Sequence, residues 1–273
     1  LLLSPLFGII VQSVSIMGLS RTDIAHQLVL ICHRLYEKGF VTATDGNVSA
    51  RLPSGNILVT PRAINKGRVG FSDLVEVNIN GTPVTLDRKP STELEMHLFI
   101  YRQRRDVHAV VHAHPTYATG FATARIPLTA CLFPEVIVGL GAIPLAPYAT
   151  PSTAEIAEAL APFVNNADAI LLANHGAVTY GSDLDDAYFK MEKVEHAARI
   201  TFVARLLGGE HPLSSAEVEK LRAISIASYG KEPEGKTACE PAQRSKLWRR
   251  QETSGLSDEE LKTFIRTVLN EKR

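Results

Sequence analysis

The sequence has little that would mark it for a membrane, a nucleic acid or an oxidising compartment. No uninterrupted apolar run reaches the roughly 20 residues that a membrane-spanning helix needs. Charge of one sign is lacking too: 29 basic residues face 29 acidic ones, so no global field draws the chain to nucleic acid or an anionic bilayer. Cysteine is scarce. Cys32, Cys131 and Cys239 are odd in number, far apart and without a Cys-x-x-Cys, so neither a disulfide framework nor a thiolate metal site is expected. A reducing cytoplasm is the expected compartment, and small molecules or protein partners remain as ligands. The 273 residues suffice for one large domain or two small ones around a substantial core.

The stretch from Leu1 to Ser20 carries no charge, and its Leu6 to Ile10 run resembles the middle of a signal peptide. It has no basic segment before that run, and Pro5, Gln12 and several serines interrupt it. The first methionine is Met17, so translation is expected to start near it, with residues 1–19 an extension outside the fold.

Beyond that point, apolar periodicity gives the elements. Ser20 or Thr22 can cap a helix with Ile24, Leu28, Ile31, Cys32 and Leu35 on one face, ended by Gly39. Phe40 to Leu52 is strand-like but broken at Thr44-Asp45-Gly46-Asn47, and Ile57 to Thr60 and Leu74 to Ile79 read as further strands. Ser91 to Tyr101 reads as a helix, followed by a strand through His112 and a helix from about Thr116. Val136 to Val138, Ile143 to Leu145, Ala169 to Leu172 and Val178 to Tyr180 are strand candidates. Thr153 to Leu160 and Leu184 to Leu207 are expected helices. Hairpins mixed with strand–helix alternation argue for one α+β domain around a mainly antiparallel sheet, over residues 20–210. Residues 211–273 form a tail, with helices expected near Ser214 to Ser228 and from about Ser257, serving as an oligomer contact or a lid.

Chemistry concentrates in Val107-His108-Ala109-Val110-Val111-His112-Ala113-His114-Pro115, answered downstream by Asn174-His175-Gly176. At period two, His112 and His114 leave a strand from the same face, close enough to grip one cation. His175, on a turn, can close the set, and three neutral imidazoles with an open position suit a catalytic metal rather than a sealed structural one. Glu93 is the candidate carboxylate. Three segments suit an anion: the loop Thr44-Asp45-Gly46-Asn47-Val48-Ser49 as a backbone nest, Thr60-Pro61-Arg62 with a hydroxyl and a guanidinium, and Ser91-Thr92 at a helix start. His97, one turn after Glu93, either orients it or fills a partly buried helix position. His108 reads as structural, and Tyr117 either reaches the pocket or simply packs; Asp183, Asp185 and Asp186 read as helix-start charges, and Arg102, Arg104 and Arg105 as a solvated helix end.

In order and spacing, these residues resemble the class II aldolase/adducin-head family over roughly residues 20 to 210. The resemblance runs through Gly46-Asn47-Val48-Ser49, Thr60-Pro61, Ser91-Thr92-Glu93, His112-Ala113-His114, Ala146-Pro147-Tyr148-Ala149-Thr150 and Asn174-His175-Gly176. It implies a three-layer α/β/α fold with a central, mostly antiparallel sheet, and a homotetramer with active sites at subunit interfaces. It also implies that His112, His114 and His175 bind zinc or another divalent metal, with Glu93 as metal neighbour and catalytic acid/base. Gly46, Asn47, Thr60, Arg62, Ser91 and Thr92 would form the substrate phosphate site. His₃–carboxylate sites also accept Mn²⁺, Co²⁺ or Fe²⁺.

The reaction implied is cleavage of a ketose 1-phosphate to dihydroxyacetone phosphate and an aldehyde, in carbohydrate metabolism. It passes through an enediolate that the metal stabilises. Glu93 moves the proton at the adjacent carbon, and no lysine Schiff base is needed. The sequence departs from the family's sugar-phosphate aldolases at Arg62-Ala63, where a small residue and glycine are usual, and at Phe133, where a tyrosine is expected. Related 4-epimerases carry aspartate where Glu93 stands, which favours aldol cleavage over epimerisation. Decarboxylation of an oxo-acid phosphate uses the same enolate. A catalytically silent, adducin-head-like module could dispense with the metal ligands.

Overall fold

A computed structural model describes residues 19–85, 88–229 and 238–240; the N-terminal extension and the helix expected from Ser257 lie outside the described residues. Seven strands make one sheet: β1 (Asn47–Arg51), β2 (Ile57–Val59), β3 (Val75–Val77), β4 (Ala109–Ala113), β5 (Leu145–Ala146), β6 (Ala169–Leu172) and β7 (Gly176–Gly181). Their order is β3-β2-β1-β4-β7-β6-β5, and every pairing is antiparallel except β5 with β6.

Among the described residues, seven α-helices accompany the sheet: α1 (Arg21–Glu37), α2 (Leu94–Gln103), α3 (Thr116–Thr123), α4 (Pro134–Gly139), α5 (Glu155–Leu160), α6 (Leu184–Leu206) and α7 (Ser215–Tyr229). The sheet divides two cores. On one face Val48, Ala50, Val111 and Leu171 pack with Leu28 and Leu35 of α1, Phe121 of α3 and Met191 of α6. On the other, Val59, Val75, Val110, Ile170 and Val178 pack with Met96 and Leu98 of α2 and Ile156 of α5. This is the three-layer α/β/α arrangement expected, and α6 crosses behind β4 and β7, the centre of the sheet. Because β4 is covered on both sides, its five residues are all buried, and it reads as an unbroken apolar run except at His112.

Local chemistry explains the helix starts. Ser20 caps α1, its hydroxyl accepting the Asp23 amide while Asp23 answers the Ser20 amide, a capping box. Asp183 caps α6 by accepting the Asp186 N–H. No helix among the described residues is long and apolar enough to cross a membrane.

Four expectations need correction. Val136 to Val138 lies in α4 rather than a strand: Pro134 occupies its first turn with φ pre-set for helix, which outweighs the β-branched valines. The strand expected from Ile143 begins at Leu145, and Ile143 instead makes an isolated bridge to Leu128. Arg104 is not solvated; its guanidinium donates to Asp106, to the buried Asp168 and to the Val164 carbonyl. Finally, Cys131 and Cys239 form a disulfide, because the chain returns after 108 residues to pair Glu240 with Ala130. Distance in sequence had argued against that bond, and the return of the tail overrides it.

Cys32 stays free, fully buried, with burial pushing its thiol up to about 12. Peptide mapping under non-reducing conditions should therefore recover Cys131 linked to Cys239. Cys32 should be alkylated only after unfolding; labelling of all three cysteines in the native state would contradict the arrangement.

Candidate metal centre

The period-two pleat sends Asn47 and Ser49 of β1, and Val110 and His112 of β4, toward the layer that holds α2. Asn47 lies directly opposite His112 in the β1–β4 register. The β6–β7 hairpin turns at Asn174, whose φ of 56° is left-handed, a conformation asparagine tolerates better than most residues. His175 follows it, its amide donating to the Leu172 carbonyl, and so stands beside the end of β4. His114 lies just past β4, anchored by its amide to the Phe40 carbonyl at 2.9 Å.

The three histidines therefore converge: one ligand nitrogen from each of His112, His114 and His175 falls within 4.8 Å of the others. His112 donates Nδ1–H to the Ala177 carbonyl at 2.9 Å, which leaves the Nε2 lone pair facing the cluster. The Nε2 atoms of His112 and His114 are 3.1 Å apart. Burial, opposed by the Glu93 carboxylate, pushes His112 down to about 4. Burial together with the neighbouring His112 and His175 pushes His114 down to about 4. At neutral pH both rings are thus lone-pair donors crowded around one point, the donor set that a divalent cation fits.

Glu93, at the N-terminal boundary of α2, closes this set. Its Oε1 is 3.1 Å from His175 Nε2, and its Oε2 is 3.4 Å from His112 Nε2. Burial alone would raise its pKa. The His112 charge, the hydrogen bond and charge of His175 and the Asn47 amide outweigh burial, holding the carboxyl well below the usual range. His112 is fully enclosed while the His114 side chain keeps 27% exposure, so the cluster opens to solvent on the His114 side.

Of the residues expected to bind phosphate, Gly46 is buried with φ +70°; a Cβ there would meet the His112 carbonyl oxygen at 2.8 Å, so only glycine lets this loop lie on β4. Thr60 is buried and its hydroxyl accepts the Val48 amide, while its carbonyl accepts the Ser91 amide. The Ser91 hydroxyl accepts the Glu93 amide, and Arg62 and Thr92 are exposed. Asn47 sends its side chain not outward but to Glu93, donating Nδ2–H to Oε2 at 2.7 Å. Two features escaped the sequence reading. Lys66 is buried and donates to the carbonyls of Thr44, in the first anion-suited segment, and of Ile64, two residues beyond Arg62; a lone lysine gives no sequence signal for that. His97 is fully buried rather than partly, and binds Asn47. His108 and Tyr117 lie outside the cluster, and the Tyr117 ring packs against the core beside Phe202 and Arg199.

The pattern described as the Class II Aldolase and Adducin N-terminal domain matches residues 26–202. The chain belongs to this family. It is 33% identical over 212 residues to the 3-oxo-tetronate 4-phosphate decarboxylase of Escherichia coli strain K12, covering 74% of this chain and 96% of that protein. It is 36% identical over 176 residues to the L-fuculose phosphate aldolase of Methanococcus maripaludis strain C7, covering 64% of this chain and 94% of that one. The crystal structure of the L-fuculose-1-phosphate aldolase from Thermus thermophilus superposes with a TM-score of 0.63 at 30% identity, over 71% of this chain and all (100%) of that chain. As a class II aldolase family member, the chain shares the fold of enzymes that these names place in two different lyase reactions.

Gly176 supplies a sharp test of the geometry. A Cβ there would meet the Ala113 carbonyl oxygen at 2.5 Å and His114 Cδ2 at 2.7 Å. Gly176→Ala should push His114 out of line and weaken Zn²⁺ binding about 10-fold or more. His112→Ala/His114→Ala should abolish binding altogether. Calorimetric titration with Zn²⁺ reads both, and unchanged affinity in the double variant would rule out this centre.

Proposed function

We propose that this protein is a metal-dependent class II aldolase-type lyase that cleaves a ketose 1-phosphate into dihydroxyacetone phosphate and an aldehyde. The observation that carries this reading is the Glu93 carboxylate, lying 3.1 and 3.4 Å from two of three converging imidazoles. In this reading His112, His114 and His175, with Glu93, hold the ion, which is Zn²⁺ or else Mn²⁺, Co²⁺ or Fe²⁺. A bound divalent cation supplies Lewis acidity, lowering the energy of the enediolate that carbon–carbon cleavage leaves behind.

The protein's own groups do the rest. Glu93, kept ionised by its surroundings, moves the proton at the carbon next to the ketone. The Gly46-Asn47 loop, the Thr60 to Arg62 turn and Ser91-Thr92 bind the phosphate. Support for their acting together is that Thr60 bonds both Val48 and Ser91 while Lys66 links the loops at Thr44 and Ile64. The complete donor set argues against a silent interaction module. The same reading makes the protein a homotetramer, for which the exposed Phe202, Val203 and Leu206 on α6 are supporting apolar surface.

A second reading, decarboxylation of a 3-oxo acid 4-phosphate, is favoured by two observations. The chain resembles a 3-oxo-tetronate 4-phosphate decarboxylase over 74% of its length. Its exposed Arg62 also suits a carboxylate or a phosphate. The two reactions share one half: losing carbon dioxide from that four-carbon acid, like losing an aldehyde from a ketose 1-phosphate, leaves the enediolate of dihydroxyacetone phosphate.

Incubation of Zn²⁺-loaded protein with a panel of ketose 1-phosphates and a 3-oxo acid 4-phosphate should release dihydroxyacetone phosphate, and a chelator should stop it. Release with an aldehyde establishes aldol cleavage, and release with carbon dioxide establishes decarboxylation. No release from either class by loaded protein refutes both. Glu93→Gln should lower kcat about 10²- to 10⁴-fold, the range of a lost general acid–base.

A further inference from the structure

Beneath Glu93 runs a line of buried polar side chains, and beyond Asn47 the reaction above uses none of them. Asn47 Nδ2 donates to Glu93 Oε2 at 2.7 Å, and Asn47 Oδ1 lies 2.5 Å from His97 Nε2. His97 Nδ1 lies 2.7 Å from Ser49 Oγ, and Ser49 Oγ lies 2.9 Å from the Tyr101 hydroxyl. Asn47, Ser49, His97 and Tyr101 are all buried between β1 and α2.

The donors in this line are fixed by elimination. An ionised carboxylate only accepts, so Asn47 must present its NH₂ to Glu93 and its carbonyl to His97. That carbonyl obliges His97 to carry its proton on Nε2. Burial pushes His97 down to about 4, so the ring is neutral near pH 7 and Nδ1 can only accept. Ser49 must then donate to Nδ1, which leaves its oxygen to accept from the Tyr101 O–H. Every proton points toward Glu93, and no member has a second arrangement that satisfies its neighbours.

A core needing only filled volume has no use for four polar side chains in series, since apolar residues of similar size pack as well without a desolvation penalty. What the series adds is a fixed donor at one carboxylate oxygen. We propose that Asn47, His97, Ser49 and Tyr101 are positioning residues, a one-directional hydrogen-bond relay that holds the Glu93 carboxylate in the orientation from which it moves the substrate proton. This deepens the lyase reading and rests on Glu93 being its acid/base. Asn47 is the link that touches Glu93, and the other three act through it. His97 sets the asparagine's direction, Ser49 sets the histidine's tautomer, and Tyr101 sets the serine's direction. The relay also makes Asn47 a positioning residue first, whatever contact its second amide hydrogen makes with substrate.

The test pairs turnover with a measurement that needs none. In the full chain, His97→Leu keeps the volume and removes both hydrogen bonds, whereas His97→Gln restores a donor toward Asn47. The expected result is a kcat about 10- to 100-fold lower in His97→Leu, with KM and Zn²⁺ content within about twofold of wild type, and recovery of most of that loss in His97→Gln. Equal loss in both variants, or loss that tracks the melting temperature, would show simple packing and overturn the relay. Nitrogen-15 NMR of the His97 ring in metal-free protein should show the Nε2–H tautomer at neutral pH, and Glu93→Ala should shift its Nε2–H resonance. An Nδ1–H tautomer, or no response to Glu93→Ala, overturns the relay whatever the substrate is. Absence of turnover on every substrate, with the tautomer and its response intact, would instead defeat the lyase reading alone.

Discussion

The double pairing of β4 is the constraint on which the site depends. Hydrogen-bonded to β1 on one side and β7 on the other, β4 cannot slip by a residue without turning His112 into the opposite core. The same register puts Asn47 across from His112 on one edge, and the Ala177 carbonyl within reach of its Nδ1 on the other. His175 arrives through the hairpin that begins β7, and His114 through the residue after β4 ends. Rigid backbone, rather than flexible side chains, thus sets most of the geometry. Gly46 and Gly176 sit where β4's neighbours come closest, each a place where a methyl group would strike a carbonyl oxygen of β4.

Burial decides the electrostatics. It strips the proton from His112 and His114 at neutral pH, which is what a cation needs of its ligands. The same burial would neutralise Glu93 were it not for the donors around it, so anion and neutral imidazoles coexist within a few ångströms only because each is separately held. Away from the site, the buried Asp168 lies between Arg104 and Lys190 at 3.0 Å each, which also pair with Asp106 and Asp186.

What could be read from the sequence was what local pattern encodes. The pleat repeat gave His112 and His114, the Asn-His-Gly turn gave His175, and the apolar stripes gave α1, α2 and α6 close to their observed spans. Residues whose part depends on a distant register were not legible. Asn47 reads as a loop residue for an anion until β1 is laid against β4, when its amide meets Glu93. Ser49 reads as part of the same anion-suited loop, and Tyr101 as one more residue of a core stripe, until α2 covers β1. Lys66 looks like a surface lysine, and Cys131 and Cys239 look unrelated, because nothing local announces the fold that encloses the one and joins the others. The α4 error is of another kind: β-branched residues pointed to a strand, while the proline before them had already fixed the backbone as helix.

The division between strand-borne and loop-borne groups bears on the choice between the two cleavages. Everything carried by β1, β4, the β6–β7 hairpin and the start of α2 would act on the half common to both reactions, the three-carbon enediolate. The departing half differs. An aldehyde leaves from a hydroxyl that must lose its proton, so aldol cleavage needs a second proton-transfer group at that oxygen, whereas carbon dioxide leaves without one. Phe133, which caps α4 by its backbone, offers no such group. If aldehyde is released, a hydroxyl elsewhere must serve, and Tyr148, with 54% of its surface exposed, is one the chain provides. Decarboxylation asks instead for a cation to bind the acid before it breaks, and the exposed Arg62 is one the chain provides. On the proposed reading the core of the site would serve either reaction, and selection between them would fall to the loops.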